Sequence, residues 1–122
     1  MTSPNPVLDE GALQRLRELD PGGRNRLLER VLRAFEASAL RLAPQLAEAH
    51  QRDDVQGIGH VAHTLKSSSA SIGALRLSRL CAEIEALVRR EVPEGLAPLL
   101  DDVDRELTVV LQALQPMRGS PP

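Results

Sequence analysis

The chain has 122 residues, a formal net charge of −2, and 42% apolar and 26% charged side chains, enough for one domain with a buried core and too little for two. Twenty-one leucines and fourteen alanines stand against a single Phe35 and no tryptophan or tyrosine, so the core is expected to be aliphatic and carried on helices. The lack of aromatic platforms and of any basic excess excludes nucleic acid as a partner. The lone Cys81 excludes an internal disulfide, and the absence of an apolar run of 18 or more residues argues against a membrane span.

Residues 1–7 and 115–122, rich in proline, serine and glycine, are expected to be flexible tails around a domain at 8–114. Met1–Pro6 lacks the basic start and apolar run of a secretory signal, so a cytoplasmic location is expected. Asp9 fits the N-cap of a short helix with Leu13, Leu16 and Leu19 on one side, stopped by Pro21-Gly22-Gly23. From about Arg24 to His50, apolar residues from Leu27 to Leu46 recur at three- and four-residue steps and predict a long amphipathic helix, which Pro44 should kink or divide.

Asp53 and Asp54 are both suited to cap the next helix, whose inner face would be Ile58, Val61 or Ala62, Leu65 and Ile72, ending at Gly73. A fourth helix is predicted from about Leu75 to Arg90, with Leu77, Leu80, Cys81, Ile84, Leu87 and Val88 inward. After Pro93-Glu94-Gly95 the stripe from Leu96 to Leu114 marks a fifth, with Pro98 tolerable in its first turn. The expected fold is all-α: an antiparallel up-down four-helix bundle with a short additional N-terminal helix.

A bundle has no inherent chemistry, so the informative residues are those its core does not need. At 100° per residue, His63 is rotated roughly 160° from Leu65 and roughly 140° from Ile58, and therefore points to solvent. Gly59, Lys66, Ser67 and Ala70 lie within about a turn of it on the same face, leaving the imidazole open to a macromolecule. Lys66 is the only lysine beside fourteen arginines. In a hairpin turning near Gly73-Ala74, His63 lies eleven residues before Ala74 and Glu85 eleven after it. Glu85 sits in the boundary row Ser78, Ala82, Glu85, Arg89, where its carboxylate could hold one ring nitrogen as N–H and leave the other nucleophilic. The alternative is an ordinary pairing of Glu85 with Arg89 four residues on. His60 and His63 are three apart and His50 is distant, with no Cys or carboxylate at matching spacing, so no metal is expected.

The stretch His63-Thr64-Leu65-Lys66-Ser67-Ser68-Ser69-Ala70-Ser71-Ile72-Gly73-Ala74, followed by Leu77, Leu80-Cys81 and Ile84-Glu85, resembles the histidine-containing phosphotransfer (HPt) domain of multistep His-Asp phosphorelays. The similarity spans about residues 8–114 and departs at Ser67, where that family most often has glycine. The resemblance implies a phosphoryl carrier without kinase activity of its own. His63 would accept the group from a receiver-domain aspartate of a hybrid sensor kinase and pass it to a response-regulator aspartate. It also implies that Lys66 stabilises the phosphoryl oxygens, that Glu85 orients the ring, and that Arg89 is a second phosphoryl contact. Gly59, Thr64, Ser67 and Ala70 would form the docking face. No cofactor is implied on this chain, Mg²⁺ being expected on the receiver, and a monomer is expected.

Three other readings compete. A kinase dimerisation helix usually has an acidic residue directly after its histidine, where this chain has Thr64, and no nucleotide-binding glycine motif is present. A structural bundle or adaptor would form no labile phosphohistidine. A metal-binding bundle would show a stoichiometric stability shift on adding zinc or iron.

Overall fold

The computed structural model describes residues 7–117, and among these every regular element is helical. Of the expected tails 1–7 and 115–122, residues 1–6 and 118–122 lie outside the described residues, while Val7 and Met117 pack against the core. Helix α1 (Glu10–Glu18) starts at Asp9, whose side chain accepts the Ala12 amide hydrogen. Leu13 is buried and Leu16 half-buried, but Leu19 is 73% exposed. The expectation that Leu19 continues the apolar side fails because the helix has already ended at Glu18 and Leu19 is its C-cap.

A single 3₁₀ turn (Pro21–Gly23) follows, and helix α2 (Leu27–Gln51) begins with the first residue of its apolar pattern, three residues after the expected start at about Arg24. The cause is Asp20, which is 7% exposed. Its carboxylate accepts the amides of Asn25 and Leu27 and the Asn25 side-chain amide, all within 3.2 Å, across a backbone that turns left-handed at Arg26. The Leu27 amide, acting against burial and helped by the two Asn25 bonds and the Arg30 charge, holds the Asp20 carboxyl below the usual aspartate range.

Pro44 does not divide α2, which runs unbroken to Gln51. Pro44 sits on the exposed side, where water can serve a carbonyl deprived of its amide partner. Of the two candidate caps before α3 (Val55–Ser71), Asp54 performs the role by accepting the Gly57 amide at 2.9 Å, while Asp53 takes the left-handed turn conformation. Helix α3 ends in a left-handed Gly73, with Ala74 N–H bonded to the Ser69 carbonyl and Gly73 N–H to that of Ala70, a Schellman closure.

Helix α4 (Leu75–Arg89) buries Leu77, Leu80, Cys81 and Ile84 and half-buries Leu87 and Val88. A 3₁₀ turn (Pro93–Gly95) leads into α5 (Leu96–Leu114), and another (Gln115–Met117) brings the partly buried Met117 against the core. The fold is the all-helical bundle: α2, α3, α4 and α5 pack as successive antiparallel neighbours, α3 against α4 most extensively, with α1 against α2. Both Val61 and Ala62 are buried, together with Ile58 and Leu65. That inner face fixes the rotation of α3.

Candidate functional site

With Ile58, Ala62 and Leu65 locked inward, α3 turns His63 outward, and its side chain is 65% exposed. Across the seam, burial of Cys81 and Ile84 sets the rotation of α4 so that Glu85 arrives at the same level with only 12% of its side chain exposed. Glu85 Oε2 lies 2.9 Å from His63 Nδ1, and Glu85 Oε1 lies 2.6 Å from Lys66 Nζ. One carboxylate thus binds both residues of α3, one oxygen to each.

Burial opposes ionisation of Glu85, but the hydrogen bonds from Lys66 and His63 and their charges outweigh it and hold the carboxyl below its ordinary value. An ionised carboxylate only accepts hydrogen bonds, so His63 Nδ1 must carry the proton. In the neutral ring Nε2 then keeps its lone pair. Cys81, one turn before Glu85, is pushed up to about 12 by burial and by the Glu85 charge. Its thiol stays protonated and belongs to the core.

The exposed surface around His63 is low. Thr64, Ser67 and Ala70 are exposed as expected. The Thr64 hydroxyl donates to the His60 carbonyl, and those of Ser68 and Ser71 donate to the carbonyls of Thr64 and Ser67, so these hydroxyls fold back on their own helix. Gly59 is placed differently from its expected exposed position. It is half-buried, and a Cβ there would come within 3.0 Å of Val88 Cγ1. Its small size serves the approach of α3 to α4.

The exposed Arg89 lines a shallow depression with Asp54, Gln56, Gly57, Gly59, His60, Glu85 and Val88. The alternative pairing with Glu85 is not made: Glu85 is taken by His63 and Lys66. A cleft of about 140 Å³ between α2 and α5 has Leu65 in its lining, on the core side of α3, and includes none of His63, Lys66, Glu85 and Arg89. Among the described residues no group of three or more His, Cys, Asp or Glu side chains is gathered as for a metal ion, and no helix is long and apolar enough to cross a membrane.

Residues 30–115 match the family model of the Hpt domain. The chain belongs to the Hpt family. It is similar to histidine-containing phosphotransfer protein 2 of Arabidopsis thaliana, with 30% identity over 105 residues that span 84% of this chain and 67% of that protein. Among solved structures, histidine-containing phosphotransfer protein B from Pseudomonas aeruginosa superposes with a TM-score of 0.84 and 27% identity, covering 94% of this chain and 96% of that one. A histidine phosphotransfer role follows for this Hpt domain.

Two contacts of this cluster were not legible in the sequence. The Lys66–Glu85 ion pair joins residues nineteen apart, although hairpin register and one helical turn bring them close. Ser78 Oγ donates to the Lys66 carbonyl at 3.1 Å and pins α4 to α3 beside the site. A serine among boundary residues gives no signal of that role.

Proposed function

We propose that His63 is the phosphoryl acceptor of this Hpt domain and that it works between two receiver domains, one of a hybrid sensor kinase and one of a response regulator. The observation that carries this reading is the 2.9 Å contact between Glu85 Oε2 and His63 Nδ1, which leaves Nε2 as the exposed nucleophile. The Nε2 lone pair attacks the phosphorus of the receiver's aspartyl phosphate as the bond from phosphorus to the acyl oxygen breaks, and the aspartate leaves as a carboxylate. Nδ1 keeps its proton, so the phosphorylated ring is an imidazolium. Glu85 offsets that positive charge at the moment it appears. The second transfer reverses these steps onto another aspartate.

Lys66 supplies a cation to the phosphoryl oxygens, and Arg89, one turn beyond Glu85, a second and more distant one. Thr64, Ser67 and Ala70 form the surface on which the receiver is pressed, while Gly59 keeps the α3–α4 seam closed beneath it. The Mg²⁺ that neutralises the transferring group resides with the receiver's acidic residues. The domain acts as a cytoplasmic monomeric carrier and takes no phosphate from nucleotide by itself.

The test is incubation with a phosphorylated receiver domain, followed by assay for acid-labile, base-stable phosphate on this chain. His63→Gln is an exposed change expected to alter stability by no more than about 0.5 kcal/mol, and it should abolish labelling, while His50→Gln leaves it in place. Equal labelling of His63→Gln and the parent overturns the assignment and leaves a helical adaptor as the better description.

A further inference from the structure

Lys66 is not directed at open solvent in the unphosphorylated protein. Its ammonium is 2.6 Å from Glu85 Oε1, its side chain is only 34% exposed, and its backbone is pinned through the Ser78 hydroxyl. Glu85 cannot relax away from it, because Oε2 is held by His63 and the residue is largely buried between Cys81 and the α3 seam. The ionisable groups near this carboxylate are Asp54 at the start of α3, His60, His63 and Lys66 within α3, and Cys81 and Arg89 from its own helix. Of these, His63 and Lys66 contact it directly.

The geometry points to a handover: Glu85 stows Lys66 while His63 is empty, and the lysine passes from the carboxylate to the phosphoryl oxygens once Nε2 is phosphorylated. This rests on the assignment of His63 as acceptor. A lysine ammonium has three donors on a flexible stem and can exchange partners without displacing the helix. The phosphoryl group, with a larger negative charge than a carboxylate, competes for it. Glu85 is then a positioning residue with two duties that oppose one another. Holding the ring favours the phosphorylated state, whereas holding Lys66 withholds stabilisation from it. Lys66 is withdrawn from the phosphoryl group to the extent that Glu85 is charged.

Glu85→Gln gives up the charge that offsets the imidazolium and holds the ammonium, and comparison with the Lys66→Met background isolates the second effect. The amide oxygen still accepts the Nδ1 proton, but the neutral side chain binds an ammonium less strongly. Loss of one partly buried ion pair frees Lys66 for the phosphoryl group. The change in phosphohistidine lifetime caused by Glu85→Gln should therefore be roughly two- to five-fold more favourable with Lys66 present than in the Lys66→Met background, where only the lost imidazolium compensation remains. The experiment labels the four chains with phosphorylated receiver, removes the receiver, and follows phosphate loss. In the unphosphorylated chain, Lys66→Met should also raise the titration midpoint of the Glu85 carboxyl, read by ¹³C NMR. Equal effects of Glu85→Gln on the lifetime with and without Lys66 overturn the handover, as does an unmoved Glu85 midpoint. Failure of His63 to become phosphorylated in any of the four chains overturns the acceptor assignment itself and takes the handover with it.

Discussion

The Gly73 carbonyl accepts the Asp9 amide hydrogen at 2.8 Å, tying the start of α1 to the turn that joins the two helices of the site. The approach is close because Gly73 has φ +78° and no side chain: a Cβ there would lie 2.8 Å from Asp9 N, 2.9 Å from Asp9 O and 3.0 Å from Ala12 Cβ. Left-handed strain and overpacking therefore act together in Gly73→Ala, which should cost about 2–4 kcal/mol. Urea unfolding of the two chains measures it. A loss below about 0.5 kcal/mol would show that the turn and α1 part at little cost.

With Lys66 in its proposed role, Lys66→Ala removes a cation from the developing phosphoryl charge. Transfer should slow about 10-fold or more, equivalent to about 1.4 kcal/mol or above of transition-state stabilisation. Lys66→Arg should recover only part of the rate, since a planar guanidinium reaches different positions. Rapid-quench transfer kinetics distinguish these outcomes, and an undiminished rate in Lys66→Ala assigns the residue to the solvated surface.

The bundle and the outward turn of His63 were readable because both follow from periodicity: Ile58, Ala62 and Leu65 occupy one face of α3 and leave residue 63 opposite. The His63–Glu85 contact was readable because a tight turn at Gly73-Ala74 makes hairpin register a matter of counting. What escaped depends on features that leave periodicity unchanged. Nothing in the apolar pattern says that Asp20 caps α2 from seven residues away, that Gly59 faces Val88, or that Lys66 chooses Glu85 over solvent. Pro44 was expected to kink or divide its helix; it lies on the exposed side and does not divide α2.

The same cap makes stability depend on acid. Folding lowers the Asp20 carboxyl below its ordinary range, first through the Leu27 amide, so its contribution is fully present above the ordinary aspartate range and is lost as pH falls through the folded-state value. Asp20→Asn keeps one acceptor and removes the charge. At pH 7 the variant should unfold at lower urea than the parent, and the gap should narrow as pH is taken below the ordinary aspartate range. A gap that is constant with pH would falsify the assignment of this effect to the carboxylate.

Ser67 lies four residues after His63 and therefore directly above it on the exposed face. If the receiver is pressed against this face, bulk at 67 should obstruct docking while leaving the His63–Glu85–Lys66 contacts intact, because Ser67 is exposed and none of those three side chains depends on its hydroxyl. Ser67→Gly should support transfer, although a glycine inside a helix costs up to about 1 kcal/mol of stability. Ser67→Arg and Ser67→Gln should weaken receiver binding and slow transfer together. Labelling of His63 by a small donor such as phosphoramidate should change much less, since that molecule needs only access to Nε2. Receiver affinity by titration calorimetry and small-donor labelling, measured on the same variants, separate docking from chemistry. Unimpaired receiver transfer in Ser67→Arg would mean that the partner reaches Nε2 from the α4 side, over the depression lined by His60, Glu85 and Arg89.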